Sequence, residues 1–288
     1  MSDPRKLIEI GKNGVCQFRG APRYGHQDVG ISPAGALDRF ALQTGNLLLD
    51  NPAEAVALEL VFPPHIRIAR PCYFVLCGAH FDVTLRLPGE SPVAVSHAAV
   101  HYAPAGAELR FGRKLLGFRA YLCLRPEPDT FPDERLLSRR RGEFREVFSW
   151  PDPLGKIRLL EGPEHAWLRH PEQFFRQRWQ VSTEVSDMGL RLAGGELNCP
   201  AGRSMVSDAV ADGTVQLTPS GPIVLLRHRQ TVGGYPRIFN VISADVDLLA
   251  QLGPGRFFRF RPVSLTEALA VERLKQLELQ DLCLRISS

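Results

Sequence analysis

Apolar residues in this chain fall in short runs rather than long stripes. Residues 81–87 alternate apolar and polar side chains with period two, as a strand with one buried face does. Residues 73–77 are continuously apolar between Pro71 and Gly78, which suits a strand buried on both faces. A third run, 57–62, stops at Pro63-Pro64. The same reading predicts strands at 109–111, 119–124, 157–160, 190–192, 215–217, 223–227 and 257–260. Helices are few. Asp38 can accept backbone N–H bonds at the start of a helix over 39–49, which Asn51-Pro52 ends. Ser264-Leu265-Thr266-Glu267 has capping-box spacing and predicts a helix to about Leu279 with a narrow apolar stripe. A short helix over 245–252 is closed by Gly253-Pro254-Gly255.

Composition sharpens this picture. With 25 Gly and 23 Pro, the chain is punctuated often enough to favour many short strands. Its 288 residues allow two domains. Residues 126–155 are rich in Pro, Arg, Asp and Glu and lack alternation, so they read as a connection between an N-terminal β lobe, 1–125, and a C-terminal β lobe with its helix, 156–288. The net charge of +4 is mild. Its one dense basic cluster, Arg139-Arg140-Arg141, is interleaved with Glu134, Glu143 and Glu146, so a nucleic-acid role is not expected. No run is long and apolar enough for a membrane span, and the first residues lack the apolar core of a secretory leader. The six cysteines form no C-x-x-C pair and no zinc spacing, so they read as reduced thiols of a cytoplasmic protein without a metal site.

Three loops carry candidate chemistry. The first, 20–38, holds Gly25, Gly30 and Gly35 with a titratable pair, His26 and Asp38. The second pairs Ser207 with Asp208, which can orient a substrate amide or carboxylate, or make only a local side-chain-to-backbone turn. The third, Gln230-Thr231-Val232-Gly233-Gly234-Tyr235-Pro236-Arg237, brings two glycines whose N–H groups can hold an anion or oxyanion. It is neither a phosphate-binding P-loop nor a dinucleotide fingerprint.

These loops, with Gly30-Ile31-Ser32-Pro33-Ala34-Gly35-Ala36-Leu37-Asp38, Asp187-Met188-Gly189-Leu190-Arg191-Leu192 and Gly221-Pro222-Ile223-Val224-Leu225 in the same order, resemble one family. It comprises the C component of 5-oxoprolinase, allophanate hydrolase subunit 2 and biotin-dependent carboxyltransferases. The resemblance implies a mainly β, two-lobed, cyclophilin-like β-barrel fold. It implies ATP-dependent opening of the 5-oxoproline lactam to glutamate, in a heteromeric complex with a B-component partner and an A-component relative. ATP would be used by a partner, and this chain would bind no cofactor. Within that reading Asp38, Asp208 and His26 are the catalytic candidates, and Ser207, Gln230, Thr231, Gly233, Gly234 and Tyr235 the substrate-binding ones. Relatives also imply a regulatory role, as antagonist of a histidine-kinase inhibitor, or carboxyl transfer in a urea carboxylase-like system. The chain departs from the family pattern at 16–23, where an acidic residue is missing, and at His228, where members carry Asp.

Overall fold

A computed structural model describes residues 3–128, 156–195, 197 and 205–287. The Arg139–Arg141 cluster, Cys199 and residues 129–155 of the expected connection lie outside the described residues. The chain forms two compact units, Met1–Ala21 with Asp38–Ser149 and Glu278–Ser288, and Pro22–Leu37 with Trp150–Leu277. Contiguous boundaries at 125 and 156 therefore differ from the observed grouping, which places Pro22–Leu37 with the C-terminal unit. The reason is local: that segment hydrogen-bonds to Arg227 and His228.

The first unit is a sheet built from β1 (Ile8–Ile10), β2 (Val15–Arg19), β3 (Ala57–Phe62), β4 (Ile66–Ile68), β5 (Cys72–Arg86), β6 (Val93–Ala94), β7 (His101–Ala103) and β8 (Glu108–Pro126). Its order is β1-β4-β8-β3-β2, with β5 pairing β6, β7 and β8. The runs 73–77 and 81–87 fuse into one strand, β5, and 109–111 and 119–124 into β8. The two long strands pair antiparallel from Cys72 opposite Pro126 to Arg86 opposite Glu108. Register shifts between Gly78 and Val83 bend the ladder without ending it, and Gly78 supplies the positive φ there. Helix α1 (Arg39–Leu48) contacts both strands, and the first half of β5 is buried on both faces where the second half alternates. Gly45 of α1 packs on Cys123 and Cys77, so no side chain fits between helix and sheet there.

The second unit is a closed barrel of β9 (Lys156–Glu161), β10 (Trp179–Val185), β11 (Gly189–Ala193), β13 (Thr214–Thr218), β14 (Gly221–Leu225), β16 (Arg237–Val241) and β17 (Phe257–Pro262), in the order β10-β11-β14-β13-β16-β9-β17. Only β17 and β9 run parallel in this circuit. Two further short strands, β12 (Asp208–Ala209) and β15 (Val232–Gly233), make a separate ribbon. The barrel interior is filled. Phe174, on α2 (Pro171–Arg176), packs against Trp179, Phe239 and Phe260 at centroid distances of 4.9, 4.7 and 5.0 Å. Trp179 Nε1 donates to Phe174 O at 3.0 Å, so the one polar side-chain atom of that cluster is satisfied.

Helix α3 (Ser243–Ala250) begins two residues before the expected start. Asp245 stands buried on its first turn and accepts from Arg158 N at 2.7 Å and Nε at 3.0 Å. Helix α4 (Leu265–Ser287) begins as its cap predicts, with Ser264 Oγ accepting from Glu267 N, but runs past Leu279. No helix among the described residues is long and apolar enough to cross a membrane. The mainly β, barrel-containing fold expected from the sequence is the one observed.

Candidate functional site

The second and third candidate loops are zipped together. Asp208 lies opposite Gly233 and Ala209 opposite Val232 in the β12–β15 ribbon, and Val210 N donates to Thr231 O at 3.1 Å. Ser207 Oγ stands 3.3 Å from where a Cβ on Gly234 would sit. Gly233 has no room for a side chain, because the Gln216 amide packs on its backbone. Gln216 is buried on β13, and its Nε2 donates to Tyr235 O at 3.3 Å. Gln230 Nε2 donates to Gln216 Oε1 at 3.4 Å. One buried glutamine thus fixes both ends of the Gln230-to-Tyr235 turn. Ser207, Asp208 and Tyr235 remain exposed to solvent, and Thr231 is half-buried.

Asp208 is held ionised. Its Oδ1 accepts from Ala209 N at 2.7 Å, and its Oδ2 lies 2.9 Å from Arg237 Nη1. The Ala209 N–H and the Arg237 charge draw its carboxyl below the usual aspartate value. Arg237 in turn donates from Nε and Nη2 to the two oxygens of Glu164, at 2.9 and 2.8 Å, and from Nη1 to Ala209 O. Hydrogen bonds from Arg237 hold Glu164 below its usual value as well. A carboxylate so stabilised is a poor base near neutral pH. It is a good fixed acceptor for an N–H donor.

The glycine-rich first loop approaches the stem of the third. Ala34 N donates to Arg227 O at 3.1 Å, Ser32 Oγ to the same oxygen at 3.3 Å, and Arg227 Nε to Leu37 O at 3.2 Å. His228 Nε2 lies 2.8 Å from Gly35 O. A ring N–H can donate to that carbonyl where an aspartate would repel it, which accounts for histidine at this place. His26 sits exposed on a turn closed by Ile31 N donating to His26 O. Gly25 and Gly30 flank it with φ of +88° and +83° and open space around them.

Asp38 belongs to the other unit. It is 6% exposed and caps α1, with Oδ1 accepting from Ala41 N at 2.9 Å. Its backbone N donates to Tyr121 Oη at 2.8 Å, and that hydroxyl donates to Glu59 Oε2 at 2.5 Å. Burial and these carboxylates push the Tyr121 phenol far up, so it stays a donor. The structure therefore collects Ser207, Asp208, Gln230, Thr231, Gly233, Gly234 and Tyr235 in one place. It ties the His26 loop to Arg227 and His228 in the same unit, and gives Asp38, which belongs to the other unit, a helix-capping contact. The sequence offers Arg237 only as the last residue of the third loop and gives no sign of Glu164; the two lie 73 residues apart and share no motif. Gln216 was more visible, as a polar residue in an otherwise apolar strand.

The geometry agrees with kinship. Residues 29–133 and 127–262 match the carboxyltransferase domain family, subdomains A and B. The chain belongs to that family. The matched span contains every candidate site residue except His26. Among relatives of this carboxyltransferase-domain chain is an Escherichia coli strain K12 protein named as the C component of 5-oxoprolinase. It is 31% identical over 320 residues, covering 98% of each chain. The protein of that name in Haemophilus influenzae is 30% identical over 305 residues, covering 96% of each. The crystal structure of the K. lactis urea amidolyase superposes on 96% of the chain with a TM-score of 0.79 at 18% identity. The chain spans 20% of that structure, and the likeness is one of fold.

Proposed function

We propose that this chain is the C-type component of an ATP-dependent 5-oxoprolinase, opening the 5-oxoproline lactam to glutamate together with A-type and B-type partners. Near-full-length kinship with two proteins named as the C component of 5-oxoprolinase supports the assignment. The observation that carries the chemistry is the ribbon that holds Ser207 and Asp208 against Gly233 and Gly234. Asp208, kept ionised by Ala209 N–H and Arg237, accepts the lactam N–H and orients the ring. Thr231 and the Gly234 backbone face the lactam oxygen or its phosphorylated form. Gln216 and Gln230 keep that turn in shape, and Tyr235 walls its exposed side. His26, on a solvent-exposed turn, carries protons to and from the opening bond. Asp38 serves the complex through α1, the role its cap geometry supports. ATP belongs to a partner protein, and this chain binds no cofactor.

The test is coexpression with candidate A and B components and an assay of ATP-dependent glutamate release. D208N is expected to lower kcat/KM on the order of 100-fold, as loss of substrate orientation does. Wild-type rates in both D208N and T231A would remove this site. Recovery of a B-component relative with no turnover of lactam or urea would favour the binding or regulatory reading instead.

A further inference from the structure

The sheet unit carries a cavity of its own. Its volume is about 870 Å³, within the roughly 300–1,000 Å³ of small-molecule pockets. It is lined by residues 3–5, by the loop after α1 (50–52 and 54–56) and by residues 124–126 at the end of β8. Two buried asparagines tie that loop down. Asn51 Nδ2 donates to Leu124 O at 3.1 Å and to Asn46 Oδ1 at 3.2 Å. Asn46 Nδ2 donates to Ala53 O at 3.2 Å and to Ala55 O at 2.8 Å. The wall is therefore held on α1 and β8 before any ligand arrives, which lowers the cost of ordering it on binding.

Two charged side chains on that wall are each pinned at one atom and free at another. Arg125 Nη1 donates to Leu49 O at 2.7 Å and lies 3.8 Å from Asp50 Oδ2. Arg125 Nε and Nη2 have no partner among the described residues, and neither is sealed from water. Glu54 mirrors this arrangement. Arg39 Nη2 and, at 3.5 Å, Gln43 Nε2 both donate to its Oε1. Its Oε2 has no partner among the described residues and is likewise open to water. The Arg125 and Glu54 side chains are only 30% and 34% exposed. Asp3 and Arg5, also on the wall, pair with each other at 4.0 Å. Most of the remaining lining, with Pro52, Ala55, Val56 and Leu124, is apolar.

We propose that this cavity binds an amino acid in its zwitterionic form, with the carboxylate on Arg125 and the ammonium on Glu54. The Nε and Nη2 edge of a guanidinium presents two N–H groups that match the two oxygens of a carboxylate, and a fixed carboxylate oxygen accepts from an ammonium. A plain anion would also meet Asp3, Asp50 and Glu54 on the wall, and a plain cation would meet Arg5 and Arg125. A molecule with both charges satisfies both free edges and brings no net charge. Its apolar part lies along Pro52, Val56 and Leu124. The site belongs to a different unit from Asp208 and the Gln230-to-Tyr235 turn, and the inference does not rest on the lactam reading.

The experiment titrates the full chain by calorimetry with L-leucine, 4-aminobutanoate and 6-aminohexanoate, which space the two charges differently. Hexanoate and hexylamine, each lacking one of the charges, are the controls. At least one amino acid is expected to bind at about 1 mM or tighter, and both controls about 10-fold more weakly or worse. R125Q and E54Q should each weaken that binding by about 10-fold or more. E54Q keeps an oxygen for Arg39 and Gln43, so the proposal stays testable if R125Q fails to fold. D208N should bind as wild type does. No binding of any of the three amino acids, equal binding of a control, or binding in E54Q within about two-fold of wild type would each overturn the inference. So would binding lost in D208N, which would put the ligand at the candidate loops. Amino-acid binding that needs Arg125 and Glu54, in a complex that turns over no lactam, defeats the lactam reading and leaves this site standing.

Discussion

Asp208 Oδ2 stands 2.9 Å from Arg237 Nη1, while the opposite edge of the same guanidinium grips Glu164. One exposed carboxylate is therefore aimed by an arginine that a second, more buried carboxylate holds still. Arg237→Met should break both pairs and leave Glu164 without its partner. The expected loss is roughly 1–3 kcal/mol in denaturant unfolding, with a fall in Asp208-dependent activity larger than that of Arg237→Lys.

The same pair sets an acid dependence. Glu164 titrates below its ordinary 4.5 in the folded chain. Its contribution is complete above that ordinary value and is lost as pH falls through the lower folded value, where the carboxylate takes up a proton and Arg237 loses its partner. Glu164→Gln should flatten the acid limb of the stability profile. An unchanged limb would show that the pair contributes nothing to folding.

A histidine pair in the sheet unit predicts a second pH effect. The His80 and His97 rings stack with centroids 4.5 Å apart, and His97 Nε2 lies 3.0 Å from Phe81 O. Burial, and then the neighbouring His97, lower His80 from 6.5 to about 4. The folded chain keeps the ring neutral where the unfolded chain charges it, so stability is full above pH 6.5 and declines towards pH 4. His80→Gln should reduce that decline, measured by thermal unfolding across the interval.

Asp38 offers a separation of roles. Asp38→Ala removes the α1 cap and should cost about 1 kcal/mol or somewhat more, while Asp38→Asn keeps a capping oxygen and should cost less. Lactam turnover should follow stability in both variants. A folded Asp38→Asn complex without turnover would restore a chemical role to this carboxylate.

Gly233→Ala tests the turn. The added methyl meets the Gln216 amide, which must leave its bond to Tyr235 O. A stability loss of roughly 1–3 kcal/mol is expected, together with weaker substrate binding. Gln216→Ala should reproduce the binding defect, since both changes release the same turn.

Much of the architecture was legible because it is local. Alternation at 81–87 and continuous apolarity at 73–77 follow from the period-two pleat of an extended backbone, and the Ser264 cap is a bond made within three residues. The fusion of those runs into β5 and β8 was not legible. Gly78 reads as a stop, and only pairing with the opposite strand shows that the chain bends there and continues. Likewise Gly233-Gly234 was visible as a loop that lets backbone come close, but nothing local names Gln216 as the group that comes close to it.

The order of apolar runs, turns and caps by itself determined a mainly β chain with these three loops and this kinship, because hydrogen-bonding and burial periods are written in neighbouring residues. Tertiary structure alone decided that Asp208 is paired with Arg237, that Asp38 caps a helix and donates its backbone N–H to Tyr121, and that Arg229 is buried beside Asp212. Charge is settled by distance through space and by exclusion of water, and both depend on residues far apart in the chain.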